Sequence, residues 1–206
     1  LAQNSEKYRK NKQMIRSKNI EALVNCTTDV NASIERLEDM GIDISAAAYR
    51  VALFDIDLYS GMYQLDTEKQ QESALMAFVL FNISDEIVTR ENAGIAYQEG
   101  SNRVCILFRE NWSRNFTVKT KEICLEIQQK TKEVMGFDVS MGIGKWVKKP
   151  EELIQSHDMA ERTLQYRYLL GGNLFIDMEE QHPVQEIAID ENLSELKEAM
   201  KTGQKE

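Results

Sequence analysis

Asp55 and Asp57 are the residues of this chain whose type and placement most suggest chemistry. They end the otherwise apolar run Tyr49-Arg-Val-Ala-Leu-Phe-Asp-Ile-Asp57. Carboxylates delivered from a buried strand can hold a hard cation such as Mg²⁺, which takes several oxygen ligands. The two are read here as pointing to opposite faces of the strand, so neither is assigned a metal. A turn further along, Gly100-Ser-Asn-Arg-Val104, carries an arginine and an asparagine and no carboxylate. Asp55 is then a residue satisfied by a backbone amide or a nearby Lys or Arg, and Asp57 caps a turn or faces solvent.

Other candidates favour structure over chemistry. His157 lies on the apolar stripe of a helical segment with no second His or Cys at ligand spacing, and is read as a hydrogen-bonded core histidine. His182 precedes Pro183 and is read as loop. Gly142-x-Gly144 is too short for a dinucleotide fingerprint and has no helix directly behind it, so it reads as a site of close packing. Arg103 and Arg109 flank one hairpin strand and read as ion-pair partners rather than phosphate binders. No spacing of Ser, His and Asp nominates a nucleophile. Cys26, Cys105 and Cys124 show no Cys-x-x-Cys spacing and read as reduced, mostly buried thiols.

The elements that would position these residues follow from periodicity and punctuation. A polar helix over Ser5–Asn25 rests lightly on a neighbour, and a short helix carrying Val30, Ile34 and Leu37 has Thr28 or Asp29 as N-cap and Gly41 after its end. Tyr49–Asp57 is a strand buried on both faces. A helix opened by Thr67 and Gln70 runs to about Arg90 with a face of Leu75, Phe78, Val79, Ile83 and Ile87. Ala93–Gln98 and Val104–Phe108 form a hairpin. A helix over Asn115–Met135 faces inward at Ile123, Ile127, Thr131 and Val134, and is followed by the strand Asp138–Ile143. Pro150 opens a helix that buries Leu153, His157, Ala160 and Leu164 and stops at Gly171-Gly172. Asn173–Asp177 is a last strand, and a closing helix uses Leu193, Leu196 and Met200. The expected fold is α+β, an α/β sandwich with a ferredoxin-like βαββαβ core and flanking N- and C-terminal helices.

With 206 residues, 42% hydrophobic and 29% charged, the chain suits a globular domain with one sizeable core. The longest apolar run, Ala74–Phe81, is far short of a membrane span, so no membrane contact by this chain is expected. Leu1 opens no signal peptide, and the chain reads as a cytoplasmic piece of a longer protein. A net charge of −9 argues against the chain itself gripping nucleic acid. The charge is uneven: Lys7, Arg9, Lys10, Lys12, Arg16 and Lys18 stand near the start, and nine acids face three lysines over 177–206. Six of the twelve asparagines begin Asn-x-Ser/Thr triplets, a frequency without a physical account.

The segments Val51-Ala-Leu-Phe-Asp-Ile-Asp-Leu-Tyr59, Val104-Cys-Ile-Leu-Phe108, Val139-Ser-Met-Gly-Ile-Gly144, Ala160-Glu-Arg-Thr-Leu164 and Gly171-Gly-Asn-Leu-Phe-Ile176 together resemble a GGDEF domain. Active members are diguanylate cyclases, which join two GTP molecules and hold metals between the first strand's aspartate and acids on the hairpin. The resemblance puts Asp55 at the metal-aspartate position and Gly100–Val104 where Gly-Gly-Asp-Glu-Phe would stand, with both hairpin carboxylates replaced. It also finds Ser60-Gly-Met-Tyr-Gln-Leu65 in place of the usual Lys and Asn-Asp.

The flanks are similar to the central region of AraC-type transcriptional regulators, many of them two-component response regulators. The expected organisation is therefore linker helices over 1–46, a degenerate GGDEF-like domain over 47–180 and an acidic linker helix over 181–206 leading to a DNA-binding domain. What the resemblance implies is a non-enzymatic, cytoplasmic signal-transmission module, with no catalytic residues and no cofactor. It would form a homodimer and reach DNA only through that further domain. Alternatives are a nucleotide or anion sensor built on Asp55, Gly100 and Arg103, and an active cyclase with relocated metal ligands.

Overall fold

A computed structural model describes residues 2–57, 67–100, 102–110 and 116–177. Five strands form one sheet: β1 (Ala48–Ile56), β2 (Gly94–Glu99), β3 (Arg103–Glu110), β4 (Val139–Ile143) and β5 (Phe175–Asp177). Their order is β2-β3-β1-β4-β5. The first four are antiparallel to their neighbours, and β5 joins β4 in parallel. This is the expected βαββαβ sheet with one added strand.

Two helical layers cover it. Helices α3 (Thr67–Arg90) and α4 (Phe116–Met135) pack on the face that carries Ala52, Phe54 and Ile56. Helices α1 (Ala2–Val24), α2 (Val30–Asp39) and α5 (Leu153–Gln165) pack on the face that carries Tyr49, Val51 and Leu53. A strand with apolar residues on both sides is what such a three-layer arrangement requires.

Local chemistry sets several boundaries as expected. Asp29 caps α2 by accepting from the Ala32 amide at 2.9 Å, and Gly41 follows the helix with φ of +75°. Gly142 and Gly144 serve close packing. A Cβ at Gly142 would lie 2.3 Å from the Ala160 carbonyl oxygen, and one at Gly144 would lie 1.9 Å from that of Ser156. Only glycine lets α5 sit this near β4, because the obstructing atoms are backbone.

Other expectations need correction. The inward face of α3 is Ala77, Leu80, Phe81, Ser84, Ile87 and Val88, and Leu75 is exposed. In an unbroken apolar run the helical period cannot fix which side turns inward. Val134 is exposed while Cys124 is buried, so the α4 stripe is also rotated near its end. The helix opened at Pro150 does not continue to Gly171: α5 ends at Gln165, and a separate short helix, α6 (Arg167–Leu170), follows Tyr166. The last strand starts at Phe175, two residues later than expected.

Helix α1 is held more firmly than its sparse apolar residues suggest. Ile20, Leu23 and Val24 are fully buried against the sheet. Ser17 Oγ accepts from the Gln98 amide on the edge strand β2 at 3.2 Å, and Arg16 reaches Asp85 on α3 at 3.3 Å. The helix therefore blocks one edge of the sheet. An intrachain cover thus exists for its last turns, from Ser17 to Val24.

Cys105 and Cys124 are buried, and burial pushes both thiols up, while Cys26 is half-buried. The expected closing helix at Leu193–Met200, Ser60–Leu65, His182 and the acidic segment lie outside the described residues.

Candidate functional site

β1 and β3 run antiparallel with Asp55 directly opposite Arg103, so the strand pairing itself brings the carboxylate and the guanidinium together. Arg103 Nε donates to Asp55 Oδ1 at 2.6 Å, and Nη2 donates to Oδ2 at 3.0 Å. This is a two-pronged carboxylate–guanidinium pair. From α6, Arg167 Nη2 comes within 2.9 Å of the same Oδ2. The Asp55 side chain is only 6% exposed, and both of its oxygens face cations.

Arg103 also binds two further acids. Its Nη1 donates to Glu99 Oε2 at 3.2 Å and to Glu161 on α5, and Nη2 reaches Glu161 Oε1 at 3.4 Å. Burial opposes the charge on Arg103, but the hydrogen bonds and charges of Asp55 and Glu161 outweigh it and hold the guanidinium protonated. Glu99 is in turn bound by Asn25 Nδ2 at 3.2 Å and lies 3.1 Å from His157 Nε2. The cluster thus links the end of α1, the hairpin, β1, α5 and α6.

Burial opposes the charge on Glu99 too, yet the hydrogen bond and charge of His157, with help from Asn25 and Arg103, hold its carboxyl down at about 2. Its ordinary value is 4.5, so the folded state binds this proton less readily than the unfolded chain. The resulting stabilisation is complete above about pH 4.5 and is lost as pH falls toward about 2. Solvent screening at this half-buried position limits it to about 1–2 kcal/mol. Glu99→Gln should therefore differ from the parent in urea unfolding at pH 6 and converge with it only as pH approaches 2. Parallel stability curves across that range would show that Glu99 is not charge-coupled to the fold.

The expectation that Asp55 and Asp57 point to opposite faces is wrong. They are two positions apart, and a strand repeats every two residues, so they share a face. Arg167 shows this directly, with Nη1 3.8 Å from Asp57 Oδ1 while Nη2 meets Asp55. Asp57 Oδ2 accepts from Ser140 Oγ at 2.7 Å and from the Asn173 amide at 2.6 Å. It ties β1 to β4 and to the turn before β5. A Cβ on Gly172 would lie 2.9 Å from the Asp57 carboxyl carbon, so that glycine lets the turn close on it.

Of the residues proposed from sequence as a ligand pocket, Asp55 and Arg103 meet each other. Gly100 supplies a positive φ of +67° to the hairpin turn, with open space where its Cβ would be. His157 is a partly buried, hydrogen-bonded histidine, as read from its stripe. Arg109 donates to the Asp43 carbonyl oxygen and takes no part. Sequence reading missed Arg167, Glu99 and Glu161; only the hairpin register could have placed Glu99 beside Arg103.

Among the described residues no group of three His, Cys, Asp or Glu is spaced to hold a metal ion. The charges around Asp55 also misfit the divalent cations that the resemblance implies. A hard dication here would meet two guanidinium groups at the oxygens it needs.

The sequence pattern of the GGDEF-like domain matches residues 25–166. The chain belongs to the GGDEF-like domain family. Solved structures similar to this GGDEF-like chain include the active GGEEF domain of a diguanylate cyclase from Vibrio cholerae, with 14% identity, 69% of this chain and 86% of that chain covered, and a TM-score of 0.44. Another is the diguanylate cyclase SiaD, in complex with its activator SiaC, from Pseudomonas aeruginosa, with 13% identity, coverage of 84% and 68%, and a TM-score of 0.48. A third is an EAL/GGDEF domain protein from M. capsulatus, with 14% identity, coverage of 71% and 96%, and a TM-score of 0.44. No curated protein sequence matches the chain. Among the described residues no helix is long and apolar enough to cross a membrane.

Proposed function

We propose that this GGDEF-like domain is a non-catalytic regulatory module that relays a signal within a cytoplasmic AraC-type transcriptional regulator, of the two-component response-regulator kind. It acts as a homodimer, and DNA is contacted by a separate domain of the full-length protein. The observation that carries the non-catalytic reading is the Arg103 clamp. At the hairpin position where the family resemblance expects an acid, an arginine closes on both oxygens of Asp55. A carboxylate held in this way is a structural anchor, with no oxygen left facing a metal.

The regulator assignment draws on the flanks. A basic helix leads in and an acidic segment leads out, as in the AraC-type layout. Met14 and Ile15 are exposed on α1 and are available to a second copy. The alternative of a nucleotide or anion held by Asp55, Gly100 and Arg103 is less favoured, since the Arg103 donors are already directed to three carboxylates.

The test is turnover. Purified chain incubated with GTP and Mg²⁺ or Mn²⁺ is expected to yield no cyclic dinucleotide. Product that forms with the parent chain and disappears with Asp55→Ala would overturn the reading.

A further inference from the structure

Tyr166, Tyr168, Leu169 and Leu170 place four large apolar side chains on the surface within five residues, at 42%, 66%, 81% and 56% exposure. Between them, Arg167 turns inward to Asp55 and Asp57. The apolar groups therefore face outward while the charge faces inward, the reverse of a solvated helix. Single exposed apolar residues need no explanation, but a contiguous group marks a surface that something covers.

We propose that the occupant is this chain's own acidic segment, which docks through Leu193, Leu196 and Met200. Three features favour it. The patch is joined to β5 by the turn 171–174, so the chain that leaves Asp177 starts beside it. Leu193 lies sixteen residues beyond Asp177, a reach of up to ~50 Å, which is ample for folding back. Leu193, Leu196 and Met200 have the spacing of one helical face, which suits a small apolar surface. Charge does not oppose it, because residues 162–176 carry no acid, whereas 178–206 carry eight acids and three lysines.

Size decides against a second copy as the occupant. Four side chains with these exposures offer on the order of 500 Å², while a stable dimer buries about 800 Å² per partner. A segment of the same chain needs less area, because tethering makes the contact intramolecular. The docking holds independently of the regulatory role proposed above.

Hydrogen exchange on the full chain tests it, with Leu193→Asp/Leu196→Asp/Met200→Asp as the comparison. Exchange at residues 167–170 is expected to rise about tenfold in the variant at every protein concentration, with β1 and β3 unchanged. The reciprocal variant, Tyr168→Asp/Leu169→Asp, is expected to speed trypsin cleavage at Lys197 and Lys201 by a similar factor. Unchanged exchange and cleavage in both variants would overturn the proposal. So would protection that grows with protein concentration, which would assign the patch to a second copy.

Discussion

Arg103→Met is expected to lower the unfolding free energy by about 2–4 kcal/mol, because removing one partner of a buried ion pair leaves the other uncompensated. Methionine keeps most of the apolar stem and removes only the cation. Asp55, 6% exposed, would then rely on Arg167 alone, and Glu161 and Glu99 would face it with no charge between them. Three carboxylates gathered around a missing cation repel one another as well as losing hydrogen bonds. Arg103→Met in an Asp55→Asn background should cost less than in the parent, since the double-mutant cycle removes the pair together. Urea unfolding of the four proteins measures this. A loss below about 1 kcal/mol for the single variant, with additive effects, would mean that the clamp contributes little, as exposed ion pairs do.

The visibility of this site in the sequence was uneven, for physical reasons. The sheet core was legible because strands β1, β3 and β4 are apolar runs bounded by Gly, Asp and Asn, and the hairpin announced itself in Gly100-Ser-Asn102. Asp55 stood out as a charge inside such a run. Arg103 stands out as an arginine in the hairpin turn and as a candidate pocket residue with Asp55 and Gly100, but strand register is what sets it opposite Asp55. Arg167 carried no signal, because it lies 112 positions from Asp55 and acts from a four-residue helix beyond the end of α5. The buried stripes of α3 and α4 were misjudged for a related reason. Their apolar residues outnumber the positions on one face, so tertiary packing chooses among them, burying Ser84 and Cys124 while exposing Leu75 and Val134; Ile123, Ile127 and Thr131 are buried as expected. Asp57 was misplaced by treating it as the strand neighbour of Asp55, when the strand period of two puts both on one side.

Arg50→Met should destabilise the fold by about 3–5 kcal/mol, the usual cost of removing one partner of a buried ion pair. Arg50 was hidden within the apolar run of β1, yet its side chain is fully buried and paired with Asp177, itself only 2% exposed. Its Nε donates to the Gly144 carbonyl oxygen at 2.5 Å, and the guanidinium lies 5.5 Å from the centre of the Trp146 ring. The pair joins β1, at the centre of the sheet, to β5, a three-residue edge strand held by the few ladder bonds its length permits. The substitution would leave the Asp177 carboxylate among the side chains of the α3–α4 face. Converting both residues together, as Arg50→Met with Asp177→Asn, should recover part of the loss because both charges of the pair are removed at once. Denaturant unfolding gives the magnitudes, and limited proteolysis after β5 reports where the fold opens. A single variant as stable as the parent would show that β5 is held by its ladder and apolar contacts alone. If instead β5 loosens before the rest of the sheet, Arg50 is what fixes the point at which the acidic segment leaves the domain, two residues from the turn that Asp57 and Gly172 close.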